Sequence, residues 1–416
     1  MFISAPAGHS SDKEKIKKIK ISALYDHHSH ASLYIAFSNN ITFWDVTEKS
    51  KAEEIIAGLP PDELTLIPGW NQNNFTFTDK ELAAMPPVII AYYSLHKIVM
   101  SPTAETIVRK SHPKITANYK NEEWYEKNIA EILSFLGSLS AITDMKVHDH
   151  LQKIENEGVL HVEDMLLVDE KAFRIISKSP MGNRVTFWAS PGVYEELSPD
   201  IQKRIKGIKI FTDGGEYTPK TVAMFKPYPG GTNKGLLCYE DAALLDLIKK
   251  FAGQNKALSL HAIGDRAVSQ IVKALKTLRS RGVRLPEVRI EHAQFINIEQ
   301  ARDAKGLGVI LSMQPNFSFD SVSFASMLPE AYPKKNNPFR MLIDEAGFVP
   351  GENLIFGSDG MPHGIETALQ SALFPPEEGQ KLTLEEFVQG YTLPDEKIKL
   401  TIEIDYGNKR VKLLEG

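Results

Sequence analysis

Cysteine is almost absent: Cys238 is the only one among 416 residues. One thiol cannot close a disulfide within the chain, so the fold is expected to hold by packing, and the expected compartment is the reducing cytoplasm. Long apolar runs are missing too. No stretch of bilayer length occurs, and Met1 to Ser11 shows no basic segment followed by an apolar core, which argues against a membrane span and a secretory leader. Nor is there an excess of positive charge. The 48 Lys and Arg are outnumbered by 53 Asp and Glu, for a net charge of −5, so neither nucleic acid nor a membrane surface is an expected partner. The basic cluster from Lys13 to Lys20 reads as a solvated strand or terminus in preference to a docking site for an anion. No G-x-G-x-x-G follows the first apolar run and no G-x-x-x-x-G-K-[ST] occurs, which excludes the nucleotide sites built on those loops.

What is present is a repeated unit: a short β-rich run ending in a polar residue, a loop, then a helical period. Such runs are Ile19–Tyr25, Leu139–Ile142, Arg184–Trp188, Ile208–Phe211, Ala257–Leu260, Val288–Ile290, Val309–Leu311 and Leu354–Phe356. Between them, Asp265–Arg281 places Val268, Ile271, Val272, Leu275 and Leu278 on one helical face, with Gly282 after it. Eight parallel strands with crossover helices close most naturally into a (β/α)8 TIM barrel, an α/β fold whose catalytic groups sit at the C-terminal strand ends. An open doubly wound sheet competes. Reactive side chains ending many different strands favour the barrel, because an open sheet gathers its site at one switch point.

Residues 39–137 are too many for a bare connection between the first two strands, so they are expected to form an inserted subdomain covering the barrel mouth. Ile398 to Tyr406 alternates apolar with polar residues and meets a turn at Gly407-Asn408, predicting a β-hairpin that continues to Leu414. The resulting division is terminal β elements at 1–25 and 393–416 around a barrel over 26–392.

The chemistry lies at the strand ends. His28 and His30 close the first strand two residues apart, on one side of an extended backbone, where two imidazoles can grip one metal; alternatively they are ordinary hydrogen-bonded histidines. His261 and His292 end the fifth and sixth runs. Asp359 follows the eighth, where a carboxylate can bind metal and take a proton from water, or merely cap a helix. Lys209 interrupts a strand fit for burial, and three readings stand open: an ion pair, a Schiff-base lysine, or a lysine carboxylated by carbon dioxide and bridging two metals.

Taken in order, Asp26-x-His28-x-His30, Gly69-Trp70, Ile208-Lys209-Ile210-Phe211-x-Asp213-Gly214, His261 to Ala267, Arg289 to Gln294, Ser312 to Pro315, Phe356 to Asp359, and Leu382 to Glu386 with Tyr391-Thr392 resemble the metal-dependent amidohydrolase superfamily. The similarity is to its amidohydrolase 3 group, typified by YtcJ-like and N-substituted formamide deformylase-like proteins, and runs from the first strand through Thr392. It implies that His28 and His30 bind the more buried metal, that carboxylated Lys209 is the bridge, and that His261 and His292 hold the second metal. It further implies that Asp359 ligates the first metal and serves as general base, with two zinc ions (iron or manganese as substitutes) activating a hydroxide against a carbon–nitrogen bond. Asp213, Asp265 and Arg266 would order the loops around the ligands, and His96 would face the substrate. Trp70, Phe75, Phe317 and His363 join His96 as expected pocket walls, which suggests an uncharged or weakly charged small-molecule substrate. A homodimer is left open.

The chain departs from that family in having only 25 residues before Asp26 and no glycine-rich strand after Thr392, so a reduced terminal sheet is expected, with Lys15–Ile21 pairing with the hairpin at 397–414. Other readings are a mononuclear enzyme acting on an ester or related bond with Lys209 uncarboxylated, a metal-free aldolase-like barrel using Lys209, and a catalytically dead binding protein.

Overall fold

The computed structural model describes residues 16–215, 217, 220–393 and 396–415. The expectation drawn on Met1 to Ser11, and residues 13–15 of the basic cluster, lie outside them. Strands β1 (Ile16–Ser22) and β2 (Leu24–Ser29) are one extended run divided at Ala23. In β1 lysines mix with isoleucines, as suits a sheet wet on one side, whereas most of β2 is buried.

After β2 the chain makes a long excursion. β3 (Thr65–Trp70), β4 (Val88–Tyr92) and β5 (Ile98–Met100) form a small sheet, with β3 parallel and β5 antiparallel to β4. Every residue of β4 is buried, and its alternation serves two cores. Val88, Ile90 and Tyr92 pack with Phe43, Ile67, Trp70 and Phe75 in a core of the insertion's own, while Ile89 and Ala91 join the main core.

Leu139 to Ile142, expected as the second barrel strand, proves to be the link between helices Ile129–Ser138 and Asp144–Asn156. Leu139 ends the first helix, and Thr143 opens the second by accepting from Lys146 N at 3.3 Å. A short apolar run followed by Thr-Asp is as good a helix end and N-cap as it is a strand. The second barrel strand is β6 (Val159–Asp164), so the excursion spans residues 30–158.

The remaining strands fall on the expected runs: β7 (Val185–Ala189), β8 (Gly207–Phe211), β9 (Ala257–Ala262), β10 (Val288–His292), β11 (Ile310–Met313) and β12 (Leu354–Phe356). With β2 and β6 they make one eight-stranded parallel sheet in chain order, a nearly closed (β/α)8 barrel. The helix Asp265–Ser280 buries Val268, Ile271, Val272, Leu275 and Leu278 against it. What ties β12 to β2 is a short set of bonds. Ser358 N donates to Asp26 Oδ1 at 2.9 Å, the Ser358 hydroxyl donates to Asp26 Oδ2, and Asp359 N donates to the His28 carbonyl at 2.7 Å.

The chain's two ends form a third sheet. β13 (Lys399–Asp405) and β14 (Arg410–Glu415) are a hairpin whose turn is held by Asp405 Oδ1 accepting from Gly407 N and Asn408 N, both at 2.9 Å. β13 pairs antiparallel with β1, Ile19 opposite Ile402 and Ile21 opposite Leu400. Leu400, Ile402 and Ile404 are buried against the main core. Among the described residues no helix is long and apolar enough to cross a membrane.

Beneath the rim the barrel interior is polar. Glu163 of β6 meets His27 Nδ1 at 3.1 Å and accepts from Trp188 Nε1 at 2.6 Å, Arg289 at 3.0 Å and Lys206 at 3.1 Å. Burial opposes the carboxylate, but Arg289, His27 and Lys206 hold its pKa well below the usual range. We expect Glu163→Gln to cost about 3–5 kcal/mol by leaving the buried Arg289 guanidinium without its anion. Because the folded-state pKa is depressed, the stabilisation is present above the ordinary carboxylate range and is lost as pH falls through the folded value. Urea denaturation at neutral pH should show a lowered midpoint, and the variant should lack this part of the acid-side slope; an unchanged midpoint would refute the network's role.

Candidate metal centre

The chemically active side chains come to the rim from five strands, β2, β8, β9, β10 and β12, or from the residues just after them. His28 of β2 is fully buried, its Nδ1 2.6 Å from Glu291 Oε2. That contact leaves Nε2 facing Lys209 Nζ at 3.2 Å and Asp359 Oδ1 at 3.5 Å. His30, just past β2, brings Nε2 to 2.9 Å from the same Asp359 oxygen, while its Nδ1 is buried without a hydrogen-bond partner. Lys209 stands on β8 with no solvent exposure, inside an otherwise apolar strand. His261 of β9 has its ring 4.5 Å from that of His292. Its Nε2, 3.4 Å from Asp213 Oδ1, makes no hydrogen bond. His292 of β10 places its ring 4.8 Å from that of His28 and its Nδ1 2.7 Å from Gln314 Oε1.

The backbone is bent to achieve this. His292 has φ +68° and Asp359 φ +60°, a left-handed conformation that is costly for residues with a side chain and is held only where the surroundings determine it. Strict alternation would send Glu291 and His292 to opposite faces of β10; with the left-handed turn at His292 both reach the cluster. Neutral His28, His261 and His292 are favoured, chiefly by burial, which brings His292 down to about 3. Burial also pushes the Lys209 ammonium down. Against burial, His28 and His30 hold Asp359 ionised, and His28 and Lys209 do the same for Glu291. The outcome is a largely buried set of imidazoles and carboxylates with lone pairs converging. Ligand atoms of His28, His292 and Asp359 lie within 4.8 Å of one another and could hold a metal ion, with His30, Lys209 and His261 around them.

A cavity of about 460 Å³ opens on this cluster, lined in part by Tyr34, Tyr93, His96, Phe211, Phe317 and Met361. Tyr93 and His96 come from the insertion. His96 is held by Glu126 Oε2, 2.8 Å from its Nδ1. Asp213 accepts from Ile263 N, Gly264 N and Ala223 N at 3.0–3.1 Å, and its carboxyl is pushed up to about 7 by burial. Asp265 accepts from Phe225 N at 2.8 Å, and Arg266 donates to Gly235 O at 2.8 Å, so all three brace the loop beyond β8.

Two expected wall residues are placed elsewhere. Trp70 and Phe75 fill the insertion's own core, where Trp70 Nε1 donates to Phe75 O at 2.8 Å, because the small sheet needs apolar mass that a lone three-stranded element cannot otherwise bury. His363 lines an adjoining chamber of about 860 Å³ that shares Tyr34, Tyr93 and Met361 with the first cavity, and its Nε2 lies 2.7 Å from Ser29 Oγ. The sequence reading gave no role to Glu291, Gln314 or Glu126, which orient His28, His292 and His96. Their proximity to histidines in the sequence was the available signal only for Glu291.

Residues 161–393, more than half the chain, match the profile of the amidohydrolase family. A Bacillus subtilis (strain 168) protein, YtcJ, provisionally named an amidohydrolase, is 29% identical over 111 residues, covering 26% of this chain and 20% of its own length. An uncharacterised metal-dependent hydrolase from Pyrococcus furiosus superposes with a TM-score of 0.65 at 19% identity, over 92% of this chain and 87% of its own. Another from Pyrococcus horikoshii OT3 gives 0.62 at 22% identity, over 86% and 74%. At these identities the structural likeness is one of fold.

The seam beside the cluster tolerates no added atom. A Cβ on Gly357 would lie 2.3 Å from His28 N and 2.8 Å from Asp26 Oδ1. Gly357→Ala is expected to cost about 1–3 kcal/mol through overpacking, read as a lowered urea midpoint; a midpoint equal to that of the parent would show that the seam yields freely.

Proposed function

From the premise that the chain belongs to the amidohydrolase family, we propose that it is a metal-dependent hydrolase of small molecules, cleaving a non-peptide carbon–nitrogen bond in an open-chain or cyclic amide at the barrel rim. The observation that carries this reading is the convergence of His28, His292 and Asp359 within 4.8 Å, ringed by His30, Lys209 and His261. The donor set suits a divalent cation, zinc first and iron or manganese as substitutes, since imidazole nitrogen and carboxylate oxygen serve all three. The buried, unpartnered Nε2 of His261 fits that role as well. His28, His30 and Asp359 would hold one metal, His261 and His292 the other, and a carboxylated Lys209 would join them. When bound, such metals lower the pKa of water and polarise a carbonyl.

The chain's own groups supply the rest. Asp359 accepts a proton and passes it to the leaving nitrogen, a role suited to a carboxylate kept ionised between two imidazoles. Glu291 and Gln314 fix the orientations of His28 and His292. Phe317, its ring 6.3 Å from His292, and His96 wall the reacting space. A second reading has one metal, an uncarboxylated Lys209 whose amine stays beside His28 Nε2, and an ester or related bond as the target.

Elemental analysis of protein purified without chelator separates the two. Close to two metals per chain is expected; about one supports the second reading, and none after incubation with divalent metal and bicarbonate overturns both. His261→Ala and Asp359→Asn should abolish hydrolysis with unchanged circular dichroism, and Lys209→Ala should lose metal and regain activity with short carboxylic acids. Glu291→Gln should weaken metal binding by about 10–100-fold. Full activity in the Asp359 variant would remove the proton role assigned to it.

A further inference from the structure

We propose that the chamber of about 860 Å³ beside the metal centre is a second binding site, which seats the far end of an elongated, uncharged substrate and holds a hydroxyl group there on His150 Nε2. The inference deepens the hydrolase reading and rests on it.

The two spaces adjoin. Tyr34 and Met361 line both, and Gly360 to His363, directly after Asp359, line the chamber, so a molecule lying against Asp359 has the chamber as its neighbouring space. The partition is thin: Tyr34 packs on Gly360, where a Cβ would strike its ring, and the same ring stands edge-on to His363 at 5.4 Å. Apolar surface comes from Phe37, Ile154 and Trp44, whose ring lies over Gly69, a Cβ there falling 2.7 Å from Trp44 Cδ2. Trp44 is nevertheless 44% exposed, a large aromatic face left open on the chamber wall. His150 is the unspent polar group of that wall. It belongs to helix Asp144–Asn156 and is 7% exposed, its ring 5.6 Å from that of His363 and parallel to that of Tyr34 at 6.4 Å. Its Nε2 is buried without a hydrogen-bond partner among the described residues, whereas His363 has Nε2 2.7 Å from Ser29 Oγ. Burial lowers the pKa of His150 to about 4, so the ring is neutral near pH 7, and Nε2 presents a lone pair in one tautomer and an N–H in the other. A hydroxyl serves both, since it donates and accepts; an ammonium serves only the first and a carboxylate only the second. A buried nitrogen left unbonded costs free energy that such a partner recovers.

The test uses the metal-loaded full chain and N-acetylated linear amino alcohols of increasing stem length, each paired with the N-acetyl alkylamine of equal length that lacks the hydroxyl. The expected result is a kcat/KM for the hydroxylated compound higher by about threefold to tenfold at the length that reaches His150, with no such gain at shorter lengths. His150→Phe should erase the gain while keeping a ring in place. Affinity is read in parallel by titrating the emission of Trp44, a response that Trp44→Phe should lose, so the hydroxyl gain is visible without turnover. A hydroxyl gain in affinity with no turnover of any compound overturns the hydrolase reading and leaves the second site standing. No hydroxyl gain at any length, a gain that survives His150→Phe, or a Trp44 emission unmoved by the long compounds overturns the second site, whatever the rate of hydrolysis.

Discussion

The arrangement depends on one buried carboxylate. Asp26 accepts from Ser358 N, from the Ser358 hydroxyl and from His28 N, and so joins the first barrel strand to the last, 332 positions away in sequence. Burial pushes its carboxyl up to about 7, the three donors pulling the other way. This tie fixes more than the closure of a ring. His28 and His30 lie two and four residues beyond Asp26, and Asp359 is the residue after Ser358. The distances of 3.5 and 2.9 Å that bring one Asp359 oxygen to both imidazoles are therefore set where the barrel closes.

A second constraint runs down the barrel axis. Arg289 and Glu291 both point inward from β10, the first to Glu163 and the second to His28 and Ser259. Cation and anion thus alternate from the floor to the rim, Arg289 paired with Glu163 and Glu291 with His28, as a low-dielectric interior demands. Apolar burial is left to the outer face of the strands and the helices over it, where Leu258, Leu260, Ile208 and Ile210 sit in the main core. The barrel holds its shape through the outer layer and its chemistry through the inner one.

Much of this could be read from the residues. His261 and His292 end strands made of apolar runs, and Lys209 is conspicuous inside one, so period and position sufficed to place them. β6 was harder: its inward positions are His161 and Glu163, which serve the polar interior, so the run looks less like a strand than the apolar helix link at Leu139 to Ile142. Glu291 escaped because its neighbour His292 looks like the inward residue; alternation puts Arg289 and Glu291 inward, and the left-handed φ at His292 brings that side chain to the same cluster. Trp70 and Phe75 were misplaced because composition does not distinguish aromatic residues lining a cleft from those filling a small separate core.

The insertion has its own sheet and its own core, and it lends Tyr93 and His96 to the wall of the cleft, yet the six cluster residues stand on barrel strands or within three residues after one. Reactivity and selectivity are thereby housed in separable pieces of one polypeptide. A different excursion between β2 and β6 would present the same reacting centre with a new lining, which makes this segment the natural place for the scaffold to acquire new substrates while its metal-binding residues stay untouched.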